Sequence, residues 1–176
     1  MNKAIFFDRD GIVNVKLEND YVKSIDEFVF EQNFFQLFKL IKDQNYLAIL
    51  VTNQQCIDKG IITTDKLNEI HFYMQDELLK NTNYRFDDIY FCPDLAGSGS
   101  KYRKPETKMF TDAIEKYNID TEKSYTIGDA VTDIEAGNKV GTKTIFVNKN
   151  TKNVDANFIY DNLNQVYDYF YSIKYN

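Results

Sequence analysis

Two stretches decide the reading of this chain: Phe6-Phe7-Asp8-Arg9-Asp10-Gly11 and Ile127-Gly128-Asp129-Ala130-Val131-Thr132-Asp133. Each ends an apolar run in carboxylates, the pattern of a buried strand that stops at a polar edge. Carboxylates gathered at one sheet edge must be neutralised, and a hard divalent cation such as Mg²⁺ does so with oxygen ligands. Asp8 and Asp10 are two positions apart, so on an extended backbone they share a face. A turn beginning at Gly11 leaves both at the strand tip. That layout suits nucleophilic and acid–base work by two neighbouring carboxylates.

Outward from these stretches, short apolar runs alternate with longer helical patterns. The strands are expected at Lys3–Phe7, Leu47–Thr52, Ile89–Cys92, Tyr125–Ile127 and Thr144–Val147. The helices are expected at Phe34–Lys42, Asp65–Leu79, Lys108–Tyr117, Asp133–Lys139 and Leu163–Ile173, with Thr64 as an N-cap ahead of Asp65. Strands apolar throughout and separated by helices indicate a parallel sheet covered on both faces. The fold class is therefore α/β: a three-layer, Rossmann-like parallel sheet with right-handed crossovers, in a single domain over residues 1–176. Gly11–Gln32 is too long for a simple turn and is expected to fold over the sheet edge as a flap. Asp94–Tyr102, rich in Gly and Ser, is expected to be a mobile loop. Gly60–Phe86 supplies a helix and a loop, so no large cap domain is expected.

The chain has 176 residues, a formal net charge of −6 and a pI near 4.8, which argue against broad binding to nucleic acid or to an anionic membrane. Two cysteines, Cys56 and Cys92, and one histidine, His71, build neither a disulfide framework nor a Cys/His metal cluster. The apolar stretch before Asp8 is too short for a signal-peptide core, and no segment reaches a membrane-spanning length. The expectation is a soluble cytoplasmic protein, a monomer or small homo-oligomer. His71 falls in a helical pattern with Leu67, Ile70, Met74 and Leu78 and is expected to be a partly buried helix residue.

Ligands of a doubly wound sheet bind beyond the carboxyl ends of its strands. Four features fall there: Asp8 with Asp10, Thr52-Asn53-Gln54, Lys104-Pro105, and Asp129 with Asp133. Taken singly, each is plain turn or capping chemistry. In this order, at successive strand ends, they form the inventory for holding a phosphate beside a metal.

The set Asp8-Arg9-Asp10-Gly11, Val51-Thr52-Asn53-Gln54, Arg103-Lys104-Pro105 and Gly128-Asp129-x-x-x-Asp133 resembles the haloacid dehalogenase (HAD) superfamily of phosphatases. More narrowly it resembles the subgroup containing D,D-heptose 1,7-bisphosphate phosphatase and the histidinol-phosphate phosphatase domain. Asn14, Tyr21-Val22, Phe28-x-Phe30, Gly60 and Cys92-Pro93 support the match, which runs from about Ala4 to Val147. The resemblance implies a HAD-like sheet and a Mg²⁺-dependent phosphomonoesterase. Asp8 is then the nucleophile that forms an aspartyl-phosphate, and Asp10 the general acid and later the base. Mg²⁺ is held by Asp8, Asp129 and the backbone carbonyl of Asp10, with Asp133 in support. Thr52 and Asn53 donate to phosphoryl oxygens, Lys104 neutralises charge, and Arg103 binds an anionic substrate group.

The chain departs from this subgroup in a loop. Where the subgroup carries a zinc site of Cys-x-His and Cys-x-Cys, this sequence reads Cys92, Asp94, Ser100 and Tyr102. One thiolate without a histidine does not make a structural Zn²⁺ site, so no zinc is expected. Ala130 stands where a lysine is frequent, and Cys56 where a small residue is usual. The expected substrate is a small phosphorylated metabolite, most simply a sugar phosphate such as a heptose (bis)phosphate. Histidinol phosphate and a polynucleotide 3′-phosphate are the alternatives, the latter from the zinc-free stretch Lys101-Tyr102-Arg103-Lys104-Pro105. A non-catalytic binding module is a third reading.

Overall fold

The computed structural model describes residues 1–148 and 153–175. Six parallel strands form one sheet: β1 (Ala4–Phe7), β2 (Leu47–Asn53), β3 (Asp88–Cys92), β4 (Tyr125–Gly128), β5 (Lys143–Val147) and β6 (Phe158–Tyr160), in the order β3-β2-β1-β4-β5-β6. The helices between them are α1 (Phe34–Asp43), α2 (Thr64–Thr82), α3 (Lys108–Tyr117), α4 (Val131–Val140) and α5 (Leu163–Tyr175). This is the doubly wound α/β architecture that the alternating pattern predicts.

β1 shows why the sheet is central. Ile5 and Phe7 join a core with α1, α2 and α5 on one face, while Ala4 and Phe6 join Met109, Phe110 and Ala136 on the other. All four strand residues are fully buried, so no polar alternation survives in the sequence. The helices follow the same logic at their own period. α1 buries Phe34, Leu37, Phe38 and Ile41, one stripe at helical spacing. Asparagines finish α2 and α3 in the left-handed conformation, Asn83 at φ 66° and Asn118 at φ 48°.

Several expected boundaries shift. The N-cap of α2 is Thr63, not Thr64: Thr63 is extended and its hydroxyl accepts from the Lys66 N–H at 3.2 Å. Of two adjacent threonines, the one left extended by the preceding turn takes the cap. α4 begins two residues before Asp133. β6 was not expected from sequence; it is a three-residue edge strand paired to β5 through Phe146 and Ile159. α5 docks as expected: Leu163, Val166 and Phe170 are buried, and the Phe170 carbonyl accepts from Gln44 Nε2 at 3.1 Å.

The segment between β1 and α1 does fold over the strand ends. The Val15 and Glu31 N–H groups donate to the carbonyls of Val29 and Val13 at 2.8 and 2.9 Å, pairing the two arms of the flap. No helix among the described residues is long and apolar enough to cross a membrane.

Candidate active site

The strand order reverses at β1. The chain leaves it for β2 and β3 on one side and returns to β4 on the other, so the ends of β1 and β4 open onto a shared crevice. Phe7 is in register with Ile127, and the Asp8 N–H donates to the Ile127 carbonyl at 3.0 Å. Two acidic motifs far apart in sequence thus emerge side by side. Two glycines make the approach possible. A Cβ on Gly11, whose φ is +92°, would lie 2.5 Å from Asp129 Oδ2; one on Gly128 would lie 2.3 Å from Asp133 Cβ.

At the floor of the crevice Lys104 bridges two carboxylates. Its Nζ is 2.8 Å from Asp8 Oδ1 and 2.7 Å from Asp133 Oδ1, and donates to the Val51 carbonyl at 2.6 Å. Lys104 is 3% exposed, and its ammonium has no solvent to replace these partners. Burial works against its charge, but Asp133 and Asp8 together hold its pKa well above the ordinary lysine value. Asp8 is pushed up to about 6, chiefly by burial and further by Asp133 and Asp10, with Lys104 opposing. At neutral pH it is therefore mostly a carboxylate.

Asp133 also caps its own helix: its Oδ2 accepts from the Ala130 N–H at 3.0 Å. Both of its oxygens are therefore engaged in organising Lys104 and the start of α4. Asp8, Asp129 and Asp133 each place one oxygen within 4.8 Å of the others. Asp129 Oδ1 is buried without a hydrogen-bond partner among the described residues. Burial raises the Asp129 pKa, with Asp8 adding to it. A divalent cation fits this set: it supplies the missing partner for Asp129 and offsets the repulsion with Asp8.

Asp10 has a different environment. Arg9 Nη2 donates to both of its oxygens at 2.9 Å, Asn14 Nδ2 to Oδ1 at 3.0 Å and Gln54 Nε2 to Oδ2 at 2.9 Å. Burial alone would raise its pKa, but Arg9 and these hydrogen bonds hold it below the usual carboxylate value. The Asp10 side chain is thus held by donors from Arg9, Asn14 and Gln54. Two neighbouring aspartates are pushed in opposite directions, which separates their chemical roles.

Thr52 and Asn53 are both at the end of β2. The Thr52 hydroxyl accepts from Gln54 Nε2 at 2.8 Å and is buried. Asn53 Nδ2 donates to the Lys104 carbonyl at 3.1 Å, and its Oδ1 accepts from the Lys104 N–H at 3.0 Å. In this structure Asn53 clamps the backbone that aims Lys104, a brace that the residue type alone does not reveal. Arg103 lines the same cavity and fastens its loop through Nη1 to the Asp94 carbonyl at 2.9 Å.

The cavity over these groups holds about 250 Å³. Its walls carry five aspartates (Asp8, Asp10, Asp20, Asp129 and Asp133) against three cations (Lys16, Arg103 and Lys104). The excess of negative charge is a second reason that a cation belongs here. Reasoning from sequence gave no role to Arg9, Gln54 or Lys16. Arg9 and Gln54 sit inside the quoted motifs and were within reach; Lys16 has no local signal.

The loop Asp94–Tyr102 closes on Cys92. The thiol lies 3.5 Å from Asp94 Oδ2 and 3.8 Å from Ser100 Oγ, and the Tyr102 N–H donates to Ser100 Oγ at 3.2 Å. Burial is the main cause that raises the Cys92 and Cys56 thiols above their ordinary value, so neither is a ready thiolate.

A family model described as "HAD-hyrolase-like" matches residues 101–170. The D-glycero-beta-D-manno-heptose-1,7-bisphosphate 7-phosphatase of Helicobacter pylori is 36% identical over 136 residues, covering 77% of this chain and 77% of that protein. The D-glycero-alpha-D-manno-heptose-1,7-bisphosphate 7-phosphatase of Campylobacter jejuni is 33% identical over 169 residues, covering 96% and 95%. Among solved structures, the D,D-heptose 1,7-bisphosphate phosphatase of B. bronchiseptica, complexed with magnesium and phosphate, superposes with a TM-score of 0.89 at 26% identity, covering 97% of this chain and 99% of that one.

Proposed function

The chain belongs to the HAD superfamily of phosphatases, and from that premise we propose a Mg²⁺-dependent phosphatase that removes one phosphate from a heptose 1,7-bisphosphate. The observation that carries this reading is the Asp8–Lys104–Asp133 bridge beside Asp129, at the point where the strand order reverses. In the first half-reaction an Asp8 oxygen attacks phosphorus, the ester P–O bond breaks, and Asp10 gives its proton to the leaving oxygen. In the second, water attacks the phosphorus of the aspartyl-phosphate, Asp10 takes its proton, and the P–O bond to Asp8 breaks, releasing phosphate and the Asp8 carboxylate. Asp10 rests as a carboxylate, the form that serves the second step, and must carry a proton into the first. Lys104 stays charged throughout and balances the phosphoryl group against Asp8. Asp8, Asp129 and the Asp10 carbonyl would hold Mg²⁺, which would supply electrostatic stabilisation of the phosphoryl oxygens.

The Cys92–Asp94–Ser100 contacts support a loop that is ordered without zinc. Two buried, unpaired cysteines suit a reducing compartment such as the cytoplasm.

The test is a Mg²⁺-dependent phosphate-release screen with wild type and Asp8→Asn. Its panel holds heptose and hexose mono- and bisphosphates, histidinol phosphate, nucleotides and a 3′-phosphorylated oligonucleotide. Wild type should prefer the heptose bisphosphate, and Asp8→Asn should lose at least about 10³-fold in kcat while remaining folded. Preference for histidinol phosphate or the oligonucleotide would replace the proposed substrate. Retained activity in Asp8→Asn would refute the nucleophile.

A further inference from the structure

Lys16 lies on the flap, 113 positions from Asp129 in sequence, yet its ammonium is 2.6 Å from Asp129 Oδ2. Asp8 and Asp133 also lie close enough to stabilise that charge. The three carboxylates that Lys16 faces are the ones that present oxygens within 4.8 Å of each other. A flexible side-chain cation therefore stands at the metal-binding corner. Its side chain is 51% exposed, so leaving that corner returns it to water at little cost. Lys16 also lines the same cavity as Arg103. The other lysine there, Lys104, is consumed by Asp8, Asp133 and Val51, and Ala130 beside Asp129 brings no charge.

We propose that Lys16 is an exchangeable counter-cation that becomes a substrate-binding residue. In the metal-free enzyme its ammonium neutralises Asp129. A divalent cation displaces it, and the freed ammonium then binds the phosphate of the substrate that is not hydrolysed, in the cavity that Arg103 also lines. The exchange leaves the carboxylates better neutralised: a single positive charge leaves them as a divalent ion arrives. It also imposes an order, because the anion-binding lysine is released only once the metal is in place. The second half of the proposal rests on the bisphosphate reading above; the first half does not.

The experiment compares wild type, Lys16→Met and Lys16→Arg. Titration calorimetry with Mg²⁺ alone, without substrate, reads the exchange. Removing a competitor worth an exposed ion pair should tighten Mg²⁺ binding in Lys16→Met about two- to fivefold. Unchanged or weaker binding overturns the proposal. Steady-state kinetics with a heptose 1,7-bisphosphate and with p-nitrophenyl phosphate read the anion contact. The KM for the bisphosphate should rise about tenfold or more in Lys16→Met, with kcat and the monoester KM little changed, and Lys16→Arg should restore most of it. An equal KM rise for both esters, or none for the bisphosphate, overturns the substrate contact. Failure of the proposed function looks different: wild type itself would release no phosphate from the bisphosphate, while Lys16→Met would still bind Mg²⁺ more tightly.

Discussion

Lys104 carries more of the site than any other single residue. It is a buried ammonium whose Nζ meets two carboxylates and one carbonyl, and whose backbone is clamped by Asn53. Removing one partner of a buried ionic cluster leaves the others uncompensated, a loss of about 3–5 kcal/mol. Lys104→Met should therefore lower the unfolding free energy by that order, measured by urea denaturation. It should also cost at least about 100-fold in kcat/KM, the scale for losing a preorganised charge at a reacting group. Unchanged kinetics in a folded variant would remove Lys104 from the reaction. The identity of this lysine was readable from Arg103-Lys104-Pro105. Its partnership with Asp133 came only from the resemblance, which sets Asp133 to orient Lys104 or a metal-bound water; spacing does not give it, because the two meet only when the loop after β3 closes over the start of α4. Asn53 makes the same point: sequence marks it as important, and only the fold shows that its amide faces the Lys104 backbone.

Among the elements, α2 illustrates how burial sets chemistry away from the reaction. His71 sits on its inner face at 5% exposure, with its ring 6.1 Å from that of Phe91. Burial, with Arg9 adding to it, lowers the His71 pKa to about 3. An unfolded histidine takes up a proton near pH 6.5, while the folded one stays neutral until far lower. Stability is thus complete above pH 6.5 and falls as the pH drops toward 3. At pH 5 the loss from this residue is about 2 kcal/mol. His71→Phe should flatten the dependence of unfolding free energy on pH between 6.5 and 5, measured against wild type by chemical denaturation. Parallel slopes would show that His71 is solvated. The helical spacing of Leu67, Ile70, His71, Met74 and Leu78 made this placement legible before the fold was known. The edge strand β6 was not legible: three residues give too short a period to separate from a turn.

For the whole molecule, the balance of charge around the crevice governs stability as well as activity. The site gathers Asp8, Asp129 and Asp133, and one buried oxygen of Asp129 has no partner among the described residues. A ligand that binds only the folded state stabilises it by about 2.7 kcal/mol at 100 times its Kd. Mg²⁺ at that level should raise the Tm by about 5–10 °C for a chain of this size, read by scanning calorimetry. EDTA should reverse the rise, and Asp129→Asn should show little of it. A Tm insensitive to Mg²⁺ in wild type would mean that these carboxylates hold no such ion.

The sequence by itself determined the order of the first five strands and of the five helices, the crevice at the carboxyl ends, and the acidic and basic residues placed there. These are local properties: apolar continuity marks a doubly covered strand, and the residue that ends such a strand must face the sheet edge. The tertiary structure alone decided which of those residues touch. Lys16 and Asp129 are 113 positions apart, and Lys104 and Asp8 are 96 apart. Neither separation leaves a trace in spacing or periodicity, because hydrogen bonds and charge act through space while patterning records only the chain's own period. Arg9, adjacent to Asp10, shows the limit from the other side. Neighbours on a strand point to opposite faces, and the turn after β1 brings both side chains to the same carboxylate contact.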